Sequence, residues 1–475
     1  MSAVRPASTN AASRLPRYRQ PTRRGTEGAL LVAAFVVGAA AYLQVDLALL
    51  GTVADDTVPV LSAVAALLLI AHLAVRILAT YADPLLVPTV ATLNLLGLAM
   101  IHRLDLAEAQ RAARNGGVAP SPDVYSQLTW TALGVVLFVG VLIVVRDHRW
   151  LQRYTYTAML AGLVLLLLPL APVIGATVNG ATLWVRIAGL SFQPGELAKI
   201  LLTIFFAGYL TVTRDSLAFV RTKVMGVELP RGRDLGPLVV AWLVSLAVLV
   251  FERDLGTSLL FFGLFVSLLY VATQRRSWLV LGAVLFLTGA VLAFFAFNHV
   301  RVRVNIWLDP FGDEADSGYQ IAQSLYGFAS GGMFGSGLGQ GYPQLVPYAK
   351  SDFIIAAFGE ELGLIGLFAM LILYAIVVER GLRTAVACRD VFGSLLAAGL
   401  SIVLALQVFI VVVGVSRLIP LTGLTTPFLS QGGSSLVANW IAVGLLVRIS
   451  DTARRPDTDT DPVLLEDAPT QVVRL

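Results

Sequence analysis

Apolar runs long enough to cross a bilayer follow one another along most of this chain, and that succession limits the fold more than any motif does. They begin at Gly28 and recur near 58–79, 84–101, 125–145, 154–175, 193–213, 236–251, 255–273, 278–298, 352–379, 392–415 and 431–449. In hydrocarbon every backbone N–H and C=O must be paired within the protein, so only helices and closed barrels can span. A barrel would read as short alternating segments, whereas these runs are continuous. The expectation is an all-α polytopic integral membrane protein with about 12 transmembrane helices and a large extracytoplasmic loop. Composition agrees. Of 475 residues, 57% are hydrophobic and 13% charged, and the mean hydropathy of +0.79 exceeds what a soluble domain can bury.

Basic residues set the expected orientation. The polar stretch 1–27 carries Arg5, Arg14, Arg17, Arg19, Arg23 and Arg24 and reads as a disordered cytosolic tail. Alternate connections then hold Arg146, Arg149 and Arg153; Arg214, Arg221, Lys223, Arg231 and Arg233; Arg275 and Arg276; and Arg380, Arg383 and Arg389. The connections between them are richer in acid, as at Asp46, Asp55 and Asp56. Positive loops stay inside, so both termini are expected in the cytosol, with 176–192, 299–351 and 416–430 outside. The chain divides into N-terminal transmembrane helices (28–101), an extracytoplasmic linker (102–124), a transmembrane core (125–450) with an outer loop (299–351), and a second disordered tail (451–475). Ala39–Ala41 imitates a signal-peptide cleavage site, but the preceding tail is long for one, which favours a retained helix. Asp215 to Glu228 mixes apolar and basic residues, as a segment lying on the inner membrane surface does. The net charge of +4 is topological rather than a nucleic-acid footprint. The single cysteine, Cys388, excludes an internal disulfide.

Polar groups are costly near hydrocarbon, so those kept at the outer ends of spans are the candidate site. Arg186 precedes Gln193-Pro194-Gly195-Glu196, and Glu196 shares a helix face with Lys199. That pair reads either as a helix-start ion pair or as a cation for a phosphate. Asp254 lies in the charged turn Glu252-Arg253-Asp254, as a helix cap or a site residue. Glu360 and Glu361 are adjacent acids inside an apolar run, so at least one must face protein or a watery cavity. Near Arg417, the stretch Gly432-Gly433-Ser434-Ser435 reads either as a plain helix cap or as backbone N–H groups offered to an anion. The outer loop gathers Asp309, Asp313, Glu314 and Asp316, and spacing alone singles out none of them. Asp309-Pro310 suits a turn, and Tyr319 to Phe328 has helical apolar spacing suited to the membrane surface.

In order and spacing these segments resemble the SEDS family (shape, elongation, division, sporulation), which includes RodA and FtsW. The resemblance covers about Trp130 to Ser450. It rests on Asn179-Gly180-Ala181, Gln193-Pro194-x-Glu196-x-x-Lys199, Asp254-Leu255-Gly256-Thr257 and Gly318-Tyr319-Gln320-x-x-x-Ser324. It continues through Gly331-Gly332-x-x-Gly335-x-Gly337-x-Gly339, Asp352-Phe353-Ile354, Glu360-Glu361-x-Gly363, Pro420-x-Thr422-Gly423 and Gly432-Gly433-Ser434-Ser435. The family's loop pattern, similar to Asp-Pro-x-x-Asp-Pro-x-Gly-x-Gly-Tyr, sets its catalytic carboxylate on Asp313. Glu314 stands where the family has proline, Asp316 where it has glycine, and Leu183 where it often has arginine.

The resemblance implies a peptidoglycan glycosyltransferase of the bacterial cytoplasmic membrane that polymerises lipid II, releases undecaprenyl pyrophosphate and works with a class B penicillin-binding protein. The extra N-terminal runs are similar to the longer RodA-type chains of actinobacteria. It implies Asp313 as catalytic base, with substrate-binding roles for Lys199, Glu196, Arg186, Arg417, Asp254, Ser434, Ser435, Gln320 and Ser324. No dedicated metal-ligand set is visible, which leaves a divalent cation (magnesium or manganese) open at the pyrophosphate. Two rival readings share these substrate features: a lipid II flippase, and a non-enzymatic scaffold of a cell-wall synthesis complex.

Overall fold

The computed structural model describes residues 22–172, 174–178, 181–187, 190–218, 222–224, 227–229, parts of 236–247, 254–313 and 318–456. Thirteen α-helices lie among them: α1 (Arg24–Leu50), α2 (Thr57–Leu78), α3 (Leu86–Arg114), α4 (Asp123–Val144), α5 (Thr155–Leu167), α6 (Gly195–Ala218), α7 (Leu255–Thr273), α8 (Ser277–Ala296), α9 (Asn298–Leu308), α10 (Tyr319–Gly331), α11 (Ile354–Ala387), α12 (Val391–Val415) and α13 (Gly433–Arg454). Eleven segments among the described residues are long and apolar enough to cross a membrane, α5 counting with the 3₁₀ turns on either side of it. The run near 236–251 lies largely outside the described residues, as do the tail segments 1–21 and 457–475, Glu314 and Asp316.

Two short connections depart from a purely helical expectation. Residues Gly175–Val178, Ala181–Ile187 and Leu190–Phe192 form an antiparallel meander, β1-β2-β3, with Val185 opposite both Gly175 and Phe192. Thr222–Val224 and Val227–Leu229 form a second hairpin, β4-β5, where a surface-lying segment was expected. The meander lies between the α5 segment and α6, where antiparallel pairing satisfies backbone groups locally.

Inner and outer helices separate by burial. Helices α3, α6, α12 and α13 are mostly buried, and α12 packs on α6, α7 and α11. Helix α8 is apolar all round and almost wholly exposed, with Val280, Val284, Leu287, Val291, Leu292 and Phe295 on its surface. Such a helix is stable only where hydrocarbon covers it. Helices α1 and α2 also expose apolar faces, yet are tied inward by polar pairs. Asp46 of α1 accepts from His102 of α3 at 2.7 Å, and Tyr42 stacks on the same imidazole at 4.1 Å.

The glycine-punctuated run after α10 has a structural cause. Helix α11 is broken at Gly363, whose φ of 65° lies in the left-handed region, and a side chain there would overlap the backbone of Gly335. A break inside a span strands carbonyls and amides that must find partners. Here the run supplies them. Ser336 and Gly337 donate to Glu360 O and Glu361 O at 2.9 Å, while Leu364 and Ile365 donate to Gly332 O and Met333 O at 3.0 and 3.1 Å. The outer loop is thereby stitched into a membrane helix.

Its far end is held by charge. Lys350 Nζ donates to Asp105 and Glu108 of α3 at 2.7 Å and to Asp123 of α4 at 2.8 Å, and these partners hold the ammonium well above its usual range. Lys350→Ala would leave three carboxylates facing one another, destabilising the fold by about 1–3 kcal/mol. Millimolar calcium should restore much of the lost melting temperature in that variant and leave the wild type unchanged. Equal calcium responses in the two proteins would contradict this account.

Candidate active site

Several of the expected site residues meet around the connection 416–432, between α12 and α13. At the start of α6, Gln193 N donates to Ser434 Oγ of α13 at 2.8 Å, which brings two of the sequence motifs into contact. Within the first turn of α6, Lys199 Nζ is buried between the Glu196 carboxylate and Gln407 Oε1, the latter at 2.7 Å. Gln407 in turn donates to Thr425 O at 3.0 Å. The structure thus shows the ion pair expected of Glu196 and Lys199, with Gln407 as a further partner.

Asp254 sits at the start of α7, where its Oδ1 accepts the Thr257 amide at 2.8 Å as a helix cap. Burial pushes its carboxyl above the usual range, the Thr257 bonds and the Arg303 guanidinium pull it back, and the Glu196 charge adds to the rise. Arg303 of α9 donates to Leu421 O and Thr422 O at 3.0 Å. Burial lowers its pKa, while Asp254 and Asp352 favour its charged form. Burial likewise pushes Asp352 up to about 6, against the opposing pull of Ser351 and Arg303. Glu196, Asp254, Arg303 and Asp352 thus form one charged patch where α6, α7 and α11 begin beside the middle of α9.

Asp352 carries a pH prediction. Raised to about 6, above the ordinary carboxylate range, its carboxyl holds the proton more tightly in the native state than in the unfolded chain. The stability contribution is complete below the unfolded value and is lost as pH rises through the folded one. Thermal melts of Asp352→Asn should exceed wild type at pH 7 and vary less between about pH 4 and 6. A wild-type slope unchanged by the substitution would refute this.

The outer loop leaves α9 through a clasp. Arg417, at a φ of 61°, donates to Trp307 O at 2.9 Å and Leu308 O at 2.6 Å, and Trp307 Nε1 returns a bond to Arg417 O at 3.1 Å. These contacts give Arg417 the task of seating the carbonyl end of α9, beside the anion-binding role expected of it. Next, Asp309 Oδ1 accepts the Gly312 amide at 3.0 Å, the turn expected of Asp-Pro. Asp313 follows, exposed, and its carbonyl accepts from Gly318 N at 2.9 Å. Gly318 is forced by close approach, since a Cβ there would overlap Pro310 O. Phe311 packs on Tyr326 of α10 with ring centroids 5.9 Å apart, so the turn bearing Asp313 rests on the helix that follows it. That helix carries Gln320, part-buried, and Ser324, whose buried Oγ donates to Val415 O at 3.2 Å.

Not every expected residue joins this assembly. Arg186 is exposed on β2, held through its amide to Ile174 O at 2.9 Å, and among the described residues no recorded side-chain contact links it to the patch. Ser435 contacts Asn439 of its own helix. Arg303 and Gln407 are the groups that sequence reading passed over. A lone amide inside the apolar run Val391–Val415 was the available signal for Gln407. Arg303 gave none, because the start of the outer loop was not read as helical. Beneath the loop, a cavity of about 460 Å³ lies between α10, α11 and α12, lined largely by apolar groups such as Leu325, Phe328, Leu367, Met370 and Val412.

With this geometry in place, comparison with known proteins is decisive. Residues 84–455 match the cell cycle protein family that groups FtsW, RodA and SpoVE. The chain belongs to that family, SEDS. The match begins ahead of α3, earlier than the motifs alone reached, and leaves α1 and α2 outside it. Among SEDS relatives, peptidoglycan glycosyltransferase RodA of Mycobacterium tuberculosis is 53% identical over 437 residues, covering 92% of both chains. The protein of the same name from Mycobacterium leprae is 54% identical over 386 residues, 81% of each. Two solved structures share the fold. One is a chain of a peptidoglycan synthase complex that coordinates polymerization and crosslinking, with a TM-score of 0.61, 27% identity, and coverage of 79% of this chain and 99% of that one. The other is rod shape determining protein RodA of Thermus thermophilus, with a TM-score of 0.53, 25% identity, and coverage of 79% and 98%.

Proposed function

We propose that this SEDS peptidoglycan glycosyltransferase polymerises lipid II with Asp313 as general base. The 4-hydroxyl of an acceptor GlcNAc attacks C1 of the donor MurNAc, a C–O bond to undecaprenyl pyrophosphate breaks, and the anomeric centre inverts. Asp313 takes the hydroxyl proton, and its exposure on a turn braced against α10 supports that task. Lys199 stabilises charge on the departing pyrophosphate, with Arg186 and Arg417 as further cations on the same side. The cavity between α10, α11 and α12 suits a polyprenyl chain, being apolar and set directly below the loop. The arginine pattern supports placing the loop outside and both termini in the cytosol. A class B penicillin-binding protein is the proposed partner, in keeping with the peptidoglycan synthase complex to which the fold is similar.

The observation that carries this reading is the match of family and loop together: Asp313 lies beside contacts that Arg417, Phe311 and Gly318 make at the two described ends of the loop, which supports it as the base. Reconstitution tests it. Purified protein in detergent, with no compartment to cross, should join labelled lipid II into strands, and a class B partner should leave Asp313 essential. A flippase would form no bond and would need sealed vesicles, and a scaffold would do neither.

A further inference from the structure

On the face opposite the outer loop, three metal-ligating side chains from two connections converge. His148 opens the turn between α4 and α5, and Cys388 and Asp390 flank the turn between α11 and α12. His148 Nε2 lies 2.8 Å from Asp390 Oδ2, and Cys388 Sγ lies 3.3 Å from the same oxygen and 4.0 Å from Nε2. We propose that His148, Cys388 and Asp390 form a zinc-binding site that fastens the α4–α5 connection to the α11–α12 connection.

The donor set suits the ion. Thiolate, imidazole and carboxylate are zinc ligands, with bonds of about 2.0–2.3 Å that set tetrahedral ligands roughly 3.3–3.7 Å apart. The three separations here bracket that range, so shifts of about half an ångström admit an ion. Glycine at 393 lets the imidazole and the thiol approach the backbone together. A Cβ on Gly393 would press on Nε2 and lie 2.6 Å from Sγ, so both donors point to one place beside that residue. Asp390 retains its capping duty meanwhile, since its other oxygen, Oδ1, accepts the Gly393 amide at 2.7 Å.

His148 itself is fully buried, and its Nδ1 has no hydrogen-bond partner. Asp147 Oδ1 lies 3.8 Å from that nitrogen. Metal on Nε2 places the imidazole proton on Nδ1, where a small shift makes Asp147 its acceptor, the outer partner that metal-bound histidines usually have. A cavity of about 540 Å³ bordered by Cys388, Asp390, Arg214 and Gln274 provides an entry route and water for the fourth position. Arg149 Nε, 3.5 Å from Asp390 Oδ2 on a half-exposed side chain, is the cation the ion would displace.

The test uses full-length protein in detergent, stripped with a chelator and then given zinc or cobalt(II) alone. Wild type should retain about one ion per chain, show a thiolate-to-cobalt charge-transfer band, and melt at a higher temperature with zinc. Cys388→Ser should lose the band. Asp390→Asn, which keeps an oxygen for the Gly393 cap, should fold normally and bind at least tenfold more weakly. Retention of zinc by wild type no greater than by Cys388→Ser, or cobalt binding without the thiolate band, would reduce the trio to a hydrogen-bonded helix cap and overturn the site.

Discussion

Asp313→Asn, purified in detergent, is expected to retain lipid II and yet form no glycan strand above background. The substitution preserves the shape of the side chain and removes only its ability to accept a proton. A positioned base contributes on the order of 10²–10⁴-fold, so kcat and kcat/KM should fall together by about that factor. Binding should persist, because the cations proposed to meet the pyrophosphate are untouched. Asp309→Asn provides the contrast within the same turn. Its amide oxygen can still accept the Gly312 N–H, the bond Asp309 makes in the structure, so near-normal rates are expected. Should Asp313→Asn polymerise at the wild-type rate, or Asp309→Asn fail equally while both remain folded, the assignment of the base to Asp313 is lost.

That contrast shows how far sequence can reach into such a loop. Four carboxylates within a few residues are equivalent to any rule of spacing, and the resemblance to a family motif singled out one. The structure adds a task for one neighbour: the Asp309 carboxylate accepts the Gly312 amide and holds the turn. The spans were legible because a bilayer enforces length and hydropathy directly, and the eleven described spanning segments fall on the expected runs. The β1–β3 meander and helix α9 were not legible, since in short polar connections tertiary contacts decide the backbone and leave no period to read. Arg303 shows the same limit. Its partners Leu421 O and Thr422 O come from a segment more than a hundred residues away, and carbonyls carry no sequence signal. The motif pairs, by contrast, were legible and also meaningful in space. Gln193 meets Ser434, and Glu360 and Glu361 meet the glycine-rich run, so segments distant in the chain share one site because each supplies what the other's backbone lacks.

The largest stability effect should come from Arg103. This arginine of α3 is buried almost completely, and its Nε lies 2.5 Å from Glu361 Oε1, in the helical turn just before the break in α11. Its remaining nitrogens donate to Gln344 Oε1 at 2.8 Å and Gly341 O at 2.5 Å, so one side chain ties α3, α11 and the outer loop together. Glu361 is fully buried as well, and its other oxygen accepts Gly339 N at 3.1 Å. Water cannot reach this pair, so removing one partner strands the other charge at a cost of about 3–5 kcal/mol. Arg103→Met should therefore lower the melting temperature in detergent sharply and speed hydrogen exchange at Ser336, Gly337 and Gly339, the amides that close the break. Adding Glu361→Gln removes the stranded charge and keeps an acceptor for Gly339, so the double variant should recover a large part of the loss. The coupling separates this account from simple loss of packing, which predicts that the two substitutions add. A melt of Arg103→Met equal to wild type, or additive losses in the double variant, would mean that the break in α11 is held by its glycine-rich partner strand alone.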